Sequence, residues 1–278
     1  MGIVIGIDVG GSTTKIVGFE ENNGQRKLIR PQFVKANDPV TATYGAFGKF
    51  TDENAIPISK IKKVVMTGVG SSYVKKDLYG IECERVPEFT CIGKGGLYIS
   101  GLNRALIVSM GTGTALVYAD GNKMEYLGGT GVGGGTLLGL SKLLVGAAEI
   151  EHIVEFSREG DLGNVDLRIK DMTAPGKKHI LHADMTAANF GNVSDVASKE
   201  DIALGITNLV YETVGMVSIF AARSRNVTDI VLTGNLTRLD SAFEKFAEFN
   251  TLGYGVNFVI PEMSQYSTVI GCAMSAFG

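Results

Sequence analysis

Asp8-Val9-Gly10-Gly11-Ser12-Thr13-Thr14-Lys15 is the stretch that decides how this chain folds. Val4 to Val9 before it is an apolar, β-branched run, and the chain resumes as a second strand from Thr13 to Glu20, so the glycines occupy a tight turn between two strands. Glycine there lets backbone N–H groups come close to anionic oxygens, while hydroxyls and an ammonium add donors. An acid at the strand end, Asp8, suits Mg²⁺, which keeps most of its water shell. The spacing differs from GxxxxGK[ST], so this is not a P-loop. Read alone, the stretch is equally a hairpin whose glycines only supply positive φ.

A second copy of the device changes that balance. Ala105 to Ser109 is an apolar strand, Gly111-Thr112-Gly113 a glycine turn, and Thr114 to Tyr118 a returning strand. Asp120-Gly121 then turns Lys123 to Leu127 back, as Asn22-Asn23-Gly24 turns Leu28 to Val34 in the first half. Strand, glycine turn, strand, turn, strand therefore occurs twice, roughly 100 residues apart. The duplication predicts two α/β lobes, 1–100 and 101–278, whose hairpins face each other across a cleft and grip one polyphosphate from both sides.

A third glycine cluster runs from Gly128 to Thr136, with six glycines in the eight positions 128–135. Such a run is costly in backbone entropy unless something must lie against the main chain. The helix expected from Leu137 to Val145 would add free N–H donors for a phosphate. Further helices are expected from Asp38-Pro39 to Phe50, from Ser72 to Leu78, from Arg238 to Phe249 and from Tyr266 to Ala276. Ser198, with Asp201 three positions on, opens a long amphipathic helix reaching Arg223. Short strands are expected at Ile61–Met66, Ile230–Leu232 and Asn257–Ile260.

Composition narrows the partner. Among 278 residues there are 26 Lys plus Arg and 29 Asp plus Glu, a formal charge of −3, with no dense basic run to meet nucleic acid or an anionic membrane surface. A small molecule fits better. Cys83, Cys91 and Cys272 are odd in number and widely spaced, which suits a reducing cytoplasm rather than a disulfide framework or a zinc site. The first residues lack the basic start and apolar core of a signal peptide, and no run of roughly 18 apolar residues suggests a membrane span. His179 and His182 stand in an H-x-x-H spacing without a third ligand and read as a polar loop.

Duplicated hairpins followed by a late glycine loop resemble the actin and hexokinase superfamily, which implies an α/β, two-lobed actin-like ATPase fold (ribonuclease H-like, duplicated) with the nucleotide in the interlobe cleft. A narrower resemblance lies within it. Asp8 to Val17 is similar to the opening of type II pantothenate kinases, of the eukaryotic and staphylococcal kind, which read D-x-G-G-T-x-x-K. Glu88-Phe89-Thr90-Cys91-Ile92-Gly93-Lys94-Gly95-Gly96-Leu97-Tyr98 is similar to the family segment that carries its catalytic glutamate. Ser109 to Thr114, Gly129 to Gly139, Met185-Thr186-Ala187-Ala188-Asn189-Phe190-Gly191 and Thr233-Gly234-Asn235 match in order.

The resemblance implies an enzyme using ATP and Mg²⁺ to phosphorylate the primary hydroxyl of pantothenate, the first step of coenzyme A synthesis, with Glu88 as general base. It puts Asp8 on Mg²⁺; Gly10, Gly11, Ser12, Lys15, Gly111, Thr112 and Gly113 around the triphosphate; and Gly133, Gly134 and Gly135 against the nucleoside side. Thr112 would also approach the acceptor. Thr186 would reach the acceptor pocket from the partner subunit of a homodimer, with the helix near 202–223 a candidate interface. Two acceptor-facing positions depart from the family: Tyr126 stands where an Arg is usual, and Ala115 where Ser is. One lost charged hydrogen bond is worth about 1.5–3 kcal/mol, so acceptor binding would weaken on the order of 10–100-fold. A same-fold kinase for a pantetheine-like or sugar acceptor, and a silent nucleotide or acyl-CoA sensor, are the alternatives.

Overall fold

The computed structural model describes residues 2–11, 13–35, 38–173 and 182–277. Ser12 and His179 lie outside the described residues. In the first half, β1 (Gly2–Val9), β2 (Thr14–Asn22), β3 (Gln25–Val34), β4 (Ile61–Thr67) and β5 (Cys83–Arg85) form one sheet in the order β3-β2-β1-β4-β5. In the second, β6 (Arg104–Met110), β7 (Thr114–Asp120), β8 (Lys123–Thr130), β11 (Asp229–Thr233) and β12 (Asn257–Val259) form another in the order β12-β11-β6-β7-β8. Read from the hairpin side, the two orders are the same. β9 (Leu167–Arg168) and β10 (Thr186–Ala188) make a small separate ribbon.

The helices follow from which strand face needs cover. Side chains alternate along a strand, so Ile3, Ile5, Ile7 and Val9 point one way and pack with Phe47 and Phe50 of α1 (Pro39–Glu53). Asp38 caps α1 by accepting from Thr41 N at 2.6 Å, and Pro39 takes the first turn, where no N–H is needed. On β6, Leu106, Val108 and Met110 join the core under α3 (Gly134–Leu144), α5 (Lys199–Ser224) and α6 (Asp240–Thr251), while α4 (Ile150–Arg158) contributes Ile153. α5 starts with the expected capping box: Asp201 N donates to Ser198 Oγ at 3.1 Å and Ser198 N returns to Asp201 Oδ2 at 2.9 Å. It is the one helix among the described residues long and apolar enough to cross a bilayer, and 61% of that apolar stretch is buried inside the protein.

The inner faces meet through an exchange. α2 (Glu88–Ser100) leaves the first half yet packs Ile92 and Leu97 on Ala105, Ile107 and Val117 of the second sheet. α7 (Ser267–Met274) ends the second half yet packs Val269, Ile270 and Ala273 on Val17 and Phe19 of the first. α2 and α7 cross through glycine: a side chain on Gly95 would overlap the Ser267 carbonyl, and one on Gly271 the Cys91 carbonyl. One helical expectation differs from what forms, and one helix forms that the sequence did not suggest. Ser72–Leu78 is not a helix; Val69–Tyr73 is a single 3-10 turn there. α2 itself has Gly93, Gly95 and Gly96 within one turn, a composition that discourages helix locally and is tolerated because tight packing repays it.

Candidate active site

Both sheets end in the same backbone device. β4 runs into Gly68, at φ +85°, and β11 into Gly234, at φ +96°. Each is followed by a 3-10 turn, Val69–Tyr73 or Asn235–Arg238. A Cβ on Gly68 would lie 2.6 Å from an Asp8 carboxylate oxygen, and one on Gly234 2.8 Å from Met110 N, so only glycine lets the two strand ends come together. This brings the Thr67-Gly68 and Thr233-Gly234 corners beside the β1–β2 and β6–β7 hairpins. Between the two halves lies a cavity of about 450 Å³.

Asp8, Gly10, Gly11, Lys15, Glu88, Gly111, Thr112 and Gly113 all line that cavity. Thr114, Ala115 and Thr130 continue the second-lobe wall. Asp8 and Lys15 face each other as register partners on β1 and β2; the equivalent pairs of the second hairpin are the uncharged Ser109↔Ala115 and Met110↔Thr114. The charge is thus concentrated on one side of the crevice. Burial pushes the Asp8 carboxyl up, and the Lys15 ammonium offsets part of that. Burial pushes Lys15 down, the Asp8 charge holds it up, and nearby Arg238 pushes it down further. Lys15 Nζ donates to Asn235 Oδ1 at 2.8 Å and to the Gln265 carbonyl at 2.6 Å.

Glu88 is the first residue of α2, after Pro87, and lines the same cavity as the two glycine hairpins. Desolvation raises its pKa above the ordinary carboxylate range, and the Asp8 charge raises it further. Phe89, next along the helix, stacks on Tyr126 with centroids 3.9 Å apart and planes at 12°. Tyr126 therefore lies at the rim beside Glu88 rather than inside the cavity.

Gly133, Gly134 and Gly135 do not line the cavity; they brace its hairpin. Gly134 N donates to the Gly111 carbonyl at 2.9 Å and Gly135 N to the Thr112 carbonyl at 2.8 Å. A Cβ on Gly133 would lie 2.8 Å from Gly113 Cα. The close approach that the glycine run demands is first of all to another part of the chain. Thr186 is also away from the cavity. Its Oγ1 donates to Glu212 Oε1 at 2.9 Å and accepts from Asn208 Nδ2 at 3.2 Å. Asp166, 0% exposed, anchors this cluster by accepting from Phe190 N and Asn208 Nδ2, both at 2.8 Å. Sequence reasoning gave no role to Asn235, Gln265 or Arg238. Only the Thr-Gly-Asn string around Asn235 offered a signal.

The arrangement can hold an anionic chain along two glycine hairpins, next to an ammonium and an acid, with a second carboxylate at the far end. Comparisons with known proteins agree with that chemistry. Residues 102–264 match the family model described as Fumble. The type II pantothenate kinase of Bacillus thuringiensis subsp. konkukian is 30% identical over 242 residues, 83% of this chain and 82% of that protein. The type II pantothenate kinase of Staphylococcus aureus strain USA300 is 26% identical over 281 residues, 96% and 97%. Among solved structures, the activator of 2-hydroxyisocaproyl-CoA dehydratase from Clostridium difficile, with ADPNP bound, superposes with a TM-score of 0.69 at 18% identity, over 99% of this chain and 94% of that one. A ROK family glucokinase from Streptomyces griseus, in complex with glucose and AMPPNP, gives 0.63 at 13% identity over 100% of both. Those two likenesses concern the fold, which is the two-lobed actin-like ATPase architecture. Sequence and fold together place this chain in the Fumble family, the type II pantothenate kinases.

Proposed function

We propose that the protein transfers the γ-phosphoryl group of ATP to the primary hydroxyl of pantothenate, the entry step of coenzyme A synthesis, in the crevice between lobes 1–100 and 101–278. The observation that carries this reading is the convergence of Glu88, Asp8, Lys15 and both glycine hairpins on one cavity. The hydroxyl oxygen attacks the γ-phosphorus, its proton passes to the Glu88 carboxylate, and the bond to the β–γ bridging oxygen breaks to release ADP. Positioning and charge stabilisation do most of the work in such a transfer, so Glu88 need only be correctly placed and ionised.

Gly10, Gly11, Ser12, Gly111, Thr112 and Gly113 would surround the phosphates, with Lys15 as point charge. The buried Asp8 carboxylate, facing the same space, is a fitting outer-sphere anchor for Mg²⁺. No group of three or more acidic, His or Cys side chains suited to a metal occurs among the described residues, which fits a cation arriving with the nucleotide. Bound there, Mg²⁺ would neutralise charge on the phosphate oxygens. The position of Thr186, away from its own cavity, supports a homodimer in which it serves the partner's acceptor end. Free thiols at Cys83, Cys91 and Cys272 suit a reducing cytoplasm. Incubating the purified protein with ATP, Mg²⁺ and pantothenate should yield ADP and phosphopantothenate in equal amounts. ADP release without phosphopantothenate would reject the assignment.

A further inference from the structure

A second cavity, of about 410 Å³, shares no lining residue with the interlobe crevice. It runs along one ridge of α2. Lys94, Leu97, Tyr98 and Gly101 follow the helical spacing i, i+3, i+4 and i+7, so they share a face, and all four line the cavity. At 1.5 Å per residue that ridge is about 10 Å long. Gly101 closes the helix at φ +70°, with open space where a side chain would begin. The facing wall is apolar and adaptable. Leu102, Met124 and Met274 form it, each partly buried, and Met124 lies so close under α2 that a side chain on Gly93 would overlap its sulfur. Tyr98 is 41% exposed, its ring held edge-on by Phe19 at 5.7 Å. Among the described residues Lys94 is the one charged group lining the cavity, and it enters none of the ion pairs within the chain. Asp120, beside Gly121 at the lip, already accepts from Tyr118 Oη at 2.9 Å and pairs with Arg104 at 3.8 Å. A half-buried ammonium therefore stands on an apolar ridge without a counter-charge.

We propose that this groove is a second ligand site, separate from the crevice, and that it takes a small amphipathic carboxylate. The carboxylate pairs with Lys94, and the apolar chain lies along Leu97 and Tyr98 toward Leu102, between the two methionines. A chain of octanoate length spans the ridge. One cation at one end sets the charge of the occupant. A neutral chain would leave Lys94 unpaired, and a second anionic group would meet only apolar walls and the amides of Asn103 and Asn122. Lys94 stands six positions after Glu88 on the same helix, about 9 Å along its axis, so an occupant packs against the element that carries Glu88 into the crevice.

The test is an NMR titration of octanoate into the full chain with its methionine methyl groups isotopically labelled. Of the nine methionine methyls, those of Met124 and Met274 should move together and saturate, with a Kd of about 1 mM or below. Met124→Leu and Met274→Leu assign the two signals. Lys94→Gln should weaken octanoate about tenfold and leave octanol unchanged, and wild type should bind octanol as weakly as Lys94→Gln binds octanoate. The methyl spectrum of the free variant reports its fold, and the comparison of octanoate with octanol on wild type needs no variant. Saturating ADP or pantothenate should leave the titration in place. Displacement by either, movement of other methionine methyls instead of these two, equal wild-type affinity for octanoate and octanol, or no saturable shift would overturn the inference, and none of these outcomes bears on the kinase assignment.

Discussion

Lys15 Nζ donates to Asn235 Oδ1 across 2.8 Å of space and 220 residues of sequence. The first residue belongs to the N-terminal hairpin and the second to the 3-10 turn after β11, so one hydrogen bond ties the cavity-facing edge of one half to that of the other. It also fixes the lysine's direction, since a flexible four-carbon stem would otherwise sweep the cavity.

Asn235→Ala should therefore weaken use of ATP without abolishing it. The Gln265 carbonyl still holds the ammonium, so the loss should be about tenfold in kcat/KM for ATP. Lys15→Met should cost more than Asn235→Ala. Steady-state kinetics at saturating acceptor check the ranking, and equal effects of the two substitutions would contradict it.

Glu88→Gln should reduce turnover by roughly 10²–10⁴-fold while nucleotide binding persists. The wild-type rate should fall on the acid side with a midpoint above the ordinary glutamate value of about 4.3, because desolvation and Asp8 both favour the protonated form. The same shift has a stability sign. A carboxyl whose folded pKa is raised stabilises the fold below its unfolded pKa and loses that contribution as pH rises through the folded value. At neutral pH the ionised side chain is thus a cost, and Glu88→Gln should melt no lower than wild type. A pH–rate profile and a thermal melt at pH 7 test the two halves separately.

Gly95→Ala should destabilise by about 3 kcal/mol or more, because the added methyl overlaps the Ser267 carbonyl and neither helix backbone can yield cheaply. Gly45→Ala is the contrast. That glycine lies in α1 with open space around it and no positive φ, so alanine should stabilise by about 0.5–1 kcal/mol. Denaturant unfolding of both variants gives the comparison directly.

Asp166→Ala should cost about 2–4 kcal/mol, since it strands the Phe190 N–H and the Asn208 amide in a buried site. Phe190 sits at φ +56°, a conformation that the lost hydrogen bond helps to hold. Hydrogen exchange at the Phe190 amide should accelerate well beyond the change in global stability.

Much of this molecule was readable from the chain alone, and the reason is local. The turns after Asp8 and Met110 need glycine between apolar runs, and the long helix after Ser198 carries its own cap, so each announces itself within a few residues. α2 was not readable as a helix, because three of its first nine residues are glycine and their reasons lie elsewhere in the chain: Gly95 meets Ser267 of α7, Gly96 meets Ile107 of β6, and Gly93 meets Met124 of β8. The glycines at 133–135 read from sequence toward a ligand; in the fold the Gly134 and Gly135 amides donate to the Gly111 and Thr112 carbonyls and the Gly133 amide to Thr136 Oγ1. A run of glycine signals that something comes close; it does not say whether that something is another strand or a bound molecule. Likewise no pattern in sequence brings Phe89 and Tyr126 face to face.

The crossing of α2 and α7 has a mechanical consequence. Each half sends its last helix onto the other's sheet, so the halves are joined at this crossing behind the cavity as well as at the Lys15–Asn235 bond in front of it. Where the two backbones touch, the Ser267 carbonyl lies against Gly95 and the Cys91 carbonyl against Gly271, so sliding one helix along the other would drive each carbonyl into a neighbouring side chain. The architecture is that of scissors riveted behind the blades, in which a turn of a few degrees at the rivet would become ångströms at the tips where the two glycine hairpins face each other.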